Sequence, residues 1–502
     1  MKNTEAVAGI TGRKAWLLLI IPLFIISIPL MLGLAIEEDA EFIDIVIDYL
    51  PVMMFFTLAV FLFSGYPVAF ILGGLSLLFG VIGYFLDIFS FIEFFNFVPR
   101  IWGQAAENLI LVAVPTFVYM GVMMERSGIA EDLLYAVQVL LRRVPGSLAL
   151  AVTIMGTILA AMTGIIGASV TMMTALALPT MLRQGYSHAL ATGCIAASGT
   201  LGILIPPSIM LIIMADLLSV SVGSLFMASL MPGLFLAVLY ISYIAITATV
   251  KPEMAPPLPK ELLYVPAKEM PKLIFKSFLP PATLLFMVKG SILFGWATPS
   301  EAGAVGAFGA IFLAWANRRL KWQVLKGVNY TAALTVSMIF FIVISATCFA
   351  YVFRSLGGDD IVSDLILKAG FDSWGLLFLI MGIVFVLGFF LDWIEITLIV
   401  LPIFAPLVAG FDFGDHVPAM GLNGQEVTFW FTVLVAVNLQ TSFLTPPFGF
   451  ALFYMKGIAP EEVHITSIYK GIIPFVCLQL VALGATLAFP GLALWLAGTI
   501  YG

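Results

Sequence analysis

Charge is scarce in this chain. Only 10% of its 502 residues are Asp, Glu, Lys or Arg, against 62% hydrophobic, where a water-soluble domain carries about 25% charged residues. That excludes a soluble catalytic domain or a nucleic-acid-binding module, and the formal charge of −7 says little about soluble partners. Cysteine and histidine are scarcer still: Cys194, Cys348 and Cys477 sit in apolar surroundings without ligand spacing, and His188, His416 and His464 are scattered. Neither a disulfide framework nor a transition-metal site follows. What the chain has in abundance is apolar runs of about 20 residues, the length a helix needs to span a bilayer. The class is an all-α polytopic membrane protein.

The few charges mark topology. Arg13 and Lys14 precede an apolar span from about Ala15 to Ile36, and Glu37, Glu38, Asp39, Glu41, Asp44 and Asp48 follow it. Basic before and acidic after places the N-terminus in the cytoplasm. A cleaved signal peptide is the competing reading, but the run is longer than a signal core and lacks a small-residue cleavage site. Further spans are predicted near 51–64, 68–86 and 107–124, with Gly65-Tyr66-Pro67 separating the first two. Gly128 to Arg143 is amphipathic, a loop helix or one lying along the membrane surface.

A long apolar segment, Leu148 to Leu182, is interrupted by Thr163-Gly164-Ile165-Ile166-Gly167-Ala168-Ser169 and flanked by Arg142, Arg143 and Arg183. Basic residues on both sides, with a glycine-rich middle that can turn tightly, predict a re-entrant hairpin. One long helix or two full spans are the alternatives. A helix over about 188–216, another over 227–249, and a Pro/Lys-rich cytoplasmic linker, 251–276, complete the first half.

The second half repeats this order with its charge bias reversed. Spans fall near 277–295, 302–317 and 328–353, then an amphipathic stretch, Gly357 to Lys368. A second long segment, Trp374 to Val408, has acidic flanks (Asp372; Asp412, Asp415 and Glu426), so it enters from the opposite face. A helix over 429–455 and a last span over 470–499 follow. The predicted organisation is an extra N-terminal helix with an acidic periplasmic loop (1–50), a first repeat (51–250), the linker, and a second, inverted repeat (277–502), with the C-terminus periplasmic. All Lys and Arg except Arg100, Lys289, Arg354 and Lys368 then fall on the cytoplasmic side.

Each repeat carries a double-proline break inside an apolar helix. The first reads Ser198-Gly199-Thr200-Leu201-Gly202-Ile203-Leu204-Ile205-Pro206-Pro207-Ser208, the second Gln440-Thr441-Ser442-Phe443-Leu444-Thr445-Pro446-Pro447-Phe448-Gly449. Proline removes an amide donor and clashes with the preceding turn, and unwound backbone survives in hydrocarbon only where protein or a polar cavity covers it. Paired breaks in inverted repeats are the mark of an alternating-access carrier, an ion-transporter-like fold whose site lies where the repeats meet. Broken helices expose carbonyls suited to a hard cation such as Na+ and amides suited to a carboxylate. Main-chain oxygens of Gly202, Ile205 and Pro207 are candidate cation ligands, with Ser442, Thr445 and Pro447 as counterparts. Thr200 and Thr441 add hydroxyls for substrate. A plain packing kink is the bland alternative.

Asp392 lies deep in the second hairpin segment, in Phe389-Phe390-Leu391-Asp392-Trp393-Ile394-Glu395-Ile396-Thr397. A carboxylate in a membrane span is costly and marks function by default; it could ligate sodium or carry a proton, or be a structurally paired acid. Glu395, one turn on, shares its environment as a further cation ligand or pairs elsewhere. Thr163, Gly167 and Ser169 at the first hairpin tip are candidate substrate contacts, in competition with simple small-residue packing. With no basic residue in a span beside the breaks except Lys289, an anionic substrate would be neutralised by bound cations and helix N-termini.

These residues carry a family resemblance. Gly164-Ile-Ile-Gly-Ala-Ser-Val-Thr171, Gly185-Tyr186, Ala197-Ser198-Gly199-Thr200, Ile205-Pro206-Pro207-Ser208, Met231-Pro232-Gly233, Ala297-Thr298-Pro299-Ser300-Glu301-Ala302-Gly303 and Leu391-Asp392 together resemble the large membrane subunit of tripartite ATP-independent periplasmic (TRAP) transporters. The resemblance runs from about Pro51 to the C-terminus. It implies a non-enzymatic, sodium-driven elevator carrier of the bacterial inner membrane, in which both hairpins move with the transport domain. It also implies a small four-helix membrane subunit, a periplasmic substrate-binding protein and an organic acid substrate, with membrane lipid around them. The chain departs from the common form in its extra N-terminal helix, its long linker, and Glu395, where a smaller or hydroxyl residue is expected. A self-sufficient ion-coupled carboxylate symporter is the nearest other reading. A membrane-embedded enzyme is a third, for which Asp392 lacks a catalytic partner.

Overall fold

Apolar runs punctuated by Gly, Pro and Asn fold as helices, and among the described residues there is no strand. The computed structural model describes residues 40–62, 66–163, 166–256, 270–408, 410–446 and 449–502. The predicted N-terminal span, most of the linker, Gly164-Ile165 at the first hairpin tip and Pro447 lie outside them.

In chain order the helices begin with α1 (Ala40–Leu62), α2 (Val68–Phe85), α3 (Ala113–Arg126), α4 (Ile129–Leu141), α5 (Ser147–Thr163) and α6 (Ile166–Arg183). Next come α7 (His188–Thr200), α8 (Ile209–Leu217), α9 (Val222–Val250), α10 (Met270–Leu293) and α11 (Pro299–Ala316). The remainder are α12 (Trp322–Ser355), α13 (Gly358–Ala369), α14 (Ser373–Leu387), α15 (Trp393–Val408), α16 (Glu426–Ser442), α17 (Phe450–Ile458), α18 (Ile465–Ala488) and α19 (Gly491–Tyr501). Of these α2, α9, α10, α12 and α18 are long and apolar enough to cross a membrane alone.

Three boundaries differ from the sequence reading, each for a local reason. The described part of α1 includes Ala40 onward, so Glu41, Asp44 and Asp48 are helical instead of in a loop; apolar Phe42, Ile43, Ile45, Val46 and Ile47 between them carry the helical pattern back. The span expected at 107–124 begins only at Ala113, because Asn108 folds the preceding turn, its Oδ1 accepting the amides of Ile110 and Leu111 at 3.0 and 3.3 Å. The last span is two helices: Pro490 has no amide to continue α18, and it caps α19 instead.

The chain divides into two compact units, one from the residues up to Gln104 with Ile342–Gly370, the other from Ala105–Phe341 with Phe371–Gly502. In the first, α1 packs on α2 and α13. Its hub is Tyr351, whose hydroxyl accepts from Asn96 (2.9 Å) and donates to Glu93 (3.3 Å) while Arg100 sits 4.2 Å over its ring. Tyr351 also meets Phe89 and Phe97 edge-on.

The second unit holds both hairpin segments and both breaks. At its centre is α7, a helix of small residues that its neighbours approach closely. A Cβ at Gly193 would strike the backbone of Gly471 on α18, one at Gly156 of α5 would strike Ser198, and one at Gly199 would strike Val170 on α6. Small residues let helices in lipid gain van der Waals contact where hydrophobic burial offers no advantage. On the other side α11 packs on α3, with Gly303 against Thr116 and Gly306 against Met120.

The two sets of hairpin and broken helix are assembled alike. Arm α5 lies on α7 and arm α14 lies on α16, so the first arm of each hairpin packs on the broken helix that follows it. The half-helices beyond the breaks are exchanged: α8 packs on α15 of the second hairpin, and α17 packs on α6 of the first.

Candidate functional site

The first break is built from the helix end outward. Helix α7 stops at Thr200, whose hydroxyl donates to the Ala197 carbonyl (2.9 Å), and the chain tightens into a 3-10 turn, Leu201–Ile203. The amides of Leu204 and Ile205 both reach Leu201 O at 3.1 Å. Pro206 and Pro207 have no amides for the carbonyls four residues earlier, Gly202 and Ile203. The Ser208 hydroxyl takes over Ile203 O at 2.7 Å and caps α8 by accepting Leu211 N at 3.4 Å. Gly202 O receives no such substitute side chain. Residues 201–207 are all buried, so this main chain is enclosed by protein.

The second break uses more polar side chains. Beyond Ser442 the chain continues through single turns, with Leu444 N donating to Thr441 O (3.2 Å) and Thr445 N to Ser442 O (3.1 Å). Phe443 O, four residues before Pro447, is reached by Ala451 N at 3.3 Å, while Gly449, at φ 35°, redirects the chain into α17. The hydroxyls of Thr441, Ser442 and Thr445 donate to Val437 O, Leu439 O and Thr441 O at 2.9, 2.8 and 2.8 Å. A hydroxyl that gives its proton to its own helix keeps oxygen lone pairs for another partner.

When the double prolines are aligned, Thr200 matches Gln440, and these two residues touch: Gln440 Nε2 donates to Thr200 Oγ1 at 3.3 Å. The ends of the two broken helices therefore meet at matched positions. Ser198 and Asn438, also matched, each bond the first arm of their own hairpin, Ser198 Oγ to Thr153 Oγ1 (3.1 Å) and Asn438 Nδ2 to Met381 O (2.7 Å). Asn438 and Gln440 were passed over in the sequence, though amides in an apolar span are a signal for buried partners.

The hairpin tips supply the rest. At the second, Gly388 lies so close to Ser442 that a Cβ would run into its hydroxyl. Asp392 then acts as the N-cap of α15. Its Oδ1 accepts Trp393 N at 2.8 Å, and Glu395 Oε2 reaches back to Asp392 N at 3.2 Å. Glu395 thus supplies the back-bond half of a capping box, while Asp392 accepts the first helical amide instead of the third, and both carboxyl groups sit at the positive end of a helix. It gives Glu395 a local role that the sequence reading lacked, and the Asp-x-x-Glu spacing was the signal for it.

At the first tip Ser169 is buried one turn into α6. Gly167 is pressed against the ring of Tyr454 on α17, 2.9 Å from where its Cβ would be. Tyr454 also lies within electrostatic reach of Asp392 and Glu395. Thr171, Phe389, Phe390, Phe453, Tyr454, Gly457 and Ile458 line an open cavity of about 560 Å³ between these elements. The structure therefore joins Thr200 to the second broken helix, Ser442 to the second hairpin tip, and Gly167 through Tyr454 to the acid pair. It shows no direct contact of Gly202, Ile205 or Pro207 with Asp392 or Glu395.

Among the described residues no cluster of three or more His, Cys, Asp or Glu side chains is placed to hold a metal. The donors at the breaks are carbonyls and hydroxyls, hard oxygen ligands that suit an alkali or alkaline-earth cation.

A family model described as the tripartite ATP-independent periplasmic transporter, DctM component, matches residues 55–492. The C4-dicarboxylate TRAP transporter large permease protein DctM of Pseudomonas aeruginosa is 28% identical over 399 residues, covering 78% of this chain and 87% of that protein. The 2,3-diketo-L-gulonate TRAP transporter large permease protein YiaN of Escherichia coli is 30% identical over 381 residues, covering 74% and 83%. The sialic acid TRAP transporter large permease protein SiaM of Vibrio cholerae is 28% identical over 439 residues, covering 87% and 95%. In fold, the chain is similar to the crystal structure of the Alcanivorax borkumensis YdaH transporter, with a TM-score of 0.52 at 12% identity over 79% of this chain and 87% of that one.

Proposed function

The chain belongs to the DctM-component family of tripartite ATP-independent periplasmic transporters, and from that premise we propose that it carries an organic acid inward across the inner membrane by sodium-coupled elevator motion. The observation that carries this reading is the meeting of the two breaks at Thr200 and Gln440. That contact sets the end of α7 against α16, and the second hairpin tip lies beside Ser442.

Sodium fits the donor set. Pro206 denies Gly202 O its helical donor, and Thr441, Ser442 and Thr445 turn their protons toward their own helix. Gly202, Ile205 and Pro207 would hold a cation at the first break, and Ser442 and Thr445 at the second. Bound sodium supplies the positive charge that an anionic substrate needs at a site without basic side chains. The cavity beside Gly167, Tyr454 and Thr171 receives the acid, and Ser169, Thr200 and Thr441 are proposed as further substrate contacts. Asp392 and Glu395 keep the tip of the second hairpin wound by bonding the first amides of α15, and their oxygens are proposed as further cation ligands. A periplasmic binding protein delivers the substrate, and a small four-helix membrane subunit completes the permease.

The test is uptake into proteoliposomes holding the chain with its small subunit, under an inward sodium gradient, with and without the binding protein. Accumulation that needs both sodium and the binding protein is expected. Full-rate uptake without a binding protein would make the chain a self-sufficient symporter, and uptake indifferent to sodium would remove the cation sites.

A further inference from the structure

The cavity between the hairpin tips is unlike a site for a small, highly polar acid. Among its seven described lining residues, Phe389, Phe390, Phe453 and Tyr454 are aromatic and Ile458 is aliphatic; of these seven Thr171 and Tyr454 supply the side-chain hydroxyls, and none is basic. Its volume, about 560 Å³, lies in the range of about 300–1,000 Å³ in which pockets enclose drug-sized ligands. The rings come from two directions, Phe389 and Phe390 from the turn that precedes Asp392 and Phe453 and Tyr454 from α17. Phe453 and Tyr454 stay 55% and 41% exposed, so their faces are open for a ligand to cover.

We propose that the substrate is a monocarboxylate with an apolar, ring-sized body, whose body packs among Phe389, Phe390 and Phe453 while its polar end meets the Tyr454 and Thr171 hydroxyls. This rests on the reading that the cavity serves the transported acid. A C4-dicarboxylate would leave much of the volume empty and would bring a second carboxylate among aromatic faces that offer it no partner. The hydroxyls of a sugar acid would lose water and find aromatic faces in exchange, and polar groups stripped of partners weaken binding. Aromatic faces instead stack on a ring offset or edge-on.

Thermal unfolding of the full chain in lipid nanodiscs, in sodium chloride, tests this with phenylacetate, succinate and gluconate as probes. Phenylacetate is expected to raise the midpoint at concentrations at least about tenfold below those the other two need, the discrimination an apolar pocket can reach. Phe453→Ser is expected to shift that phenylacetate response to at least about tenfold higher concentration, with the ligand-free midpoint reporting that the fold is retained. Stabilisation by succinate or gluconate at equal or lower concentration overturns the inference and leaves the carboxylate reading standing. An unchanged phenylacetate response in Phe453→Ser also overturns it. No stabilisation by any of the three sinks both readings.

Discussion

The two double-proline breaks solve one problem in two ways. Each removes two amide donors from a buried helix. At the first, a side chain repairs the damage, with Ser208 covering Ile203 O. At the second, main chain does so, with Ala451 N reaching Phe443 O across a turn opened by Gly449. The first break is flanked by small, mostly apolar residues and relies on packing. The second is flanked by Asn438, Gln440, Thr441, Ser442 and Thr445 and relies on hydrogen bonds. Matched positions therefore need not carry matched chemistry: what the two breaks share is a pair of missing amide donors, and side chains differ around them.

Restoring the missing donors at one break only gives the largest expected effect. Pro206→Ala with Pro207→Ala lets the turn close over Gly202 O and Ile203 O, and sodium-driven uptake in proteoliposomes should fall about 100-fold or more, the scale of about 3 kcal/mol. A protein that keeps its sodium affinity after this change would show that the first break is a packing kink alone. Asp392→Asn comes next, because asparagine caps as well as aspartate. The unfolding midpoint should hold while sodium-dependent uptake drops about tenfold or more; retained coupling would confine Asp392 to capping.

Smaller effects sharpen the contrast in repair. Ser208→Ala loses the cap and leaves Ile203 O unpaired, about 1–2 kcal/mol by denaturant unfolding. Thr445→Val removes one hydroxyl whose carbonyl partner sits in a helix end, about 0.6 kcal/mol. Equal losses would mean that both breaks depend on side chains alike. The smallest effect lies far from either break. Thr298 N and Oγ1 both donate to Glu301, which holds that carboxyl below its usual range. A folded value below the unfolded one stabilises above the unfolded pKa, and that contribution fades as pH falls through the folded value. The melting difference between the native chain and Glu301→Gln should therefore be present near neutrality and vanish in acid below about pH 4.

Much of this architecture was legible from spacing. Proline pairs, apolar runs and the turns between them placed the helices of both hairpin segments and both breaks along the chain, because each rests on a local rule. What escaped depends on partners distant in sequence. The Thr200–Gln440 contact joins residues 240 apart, and nothing local to either names the other. The aromatic cavity draws on α6, the second hairpin tip and α17 together. Two local signals were also missed: the Asp-x-x-Glu capping pattern at 392–395, hidden by its apolar setting, and Pro490, overlooked because hydrophobicity runs unbroken through it.

The exchange of half-helices has a consequence for how the molecule is made. Helix α8 rests on α15, and α17 rests on α6, so neither repeat owns a complete set of walls. Translation delivers the N-terminal half first, yet the resting place of α8 does not exist until α15 has been synthesised, and α6 waits for α17. A chain released only as far as α9 leaves both α6 and α8 without these packing partners until the residues around 458 have been made.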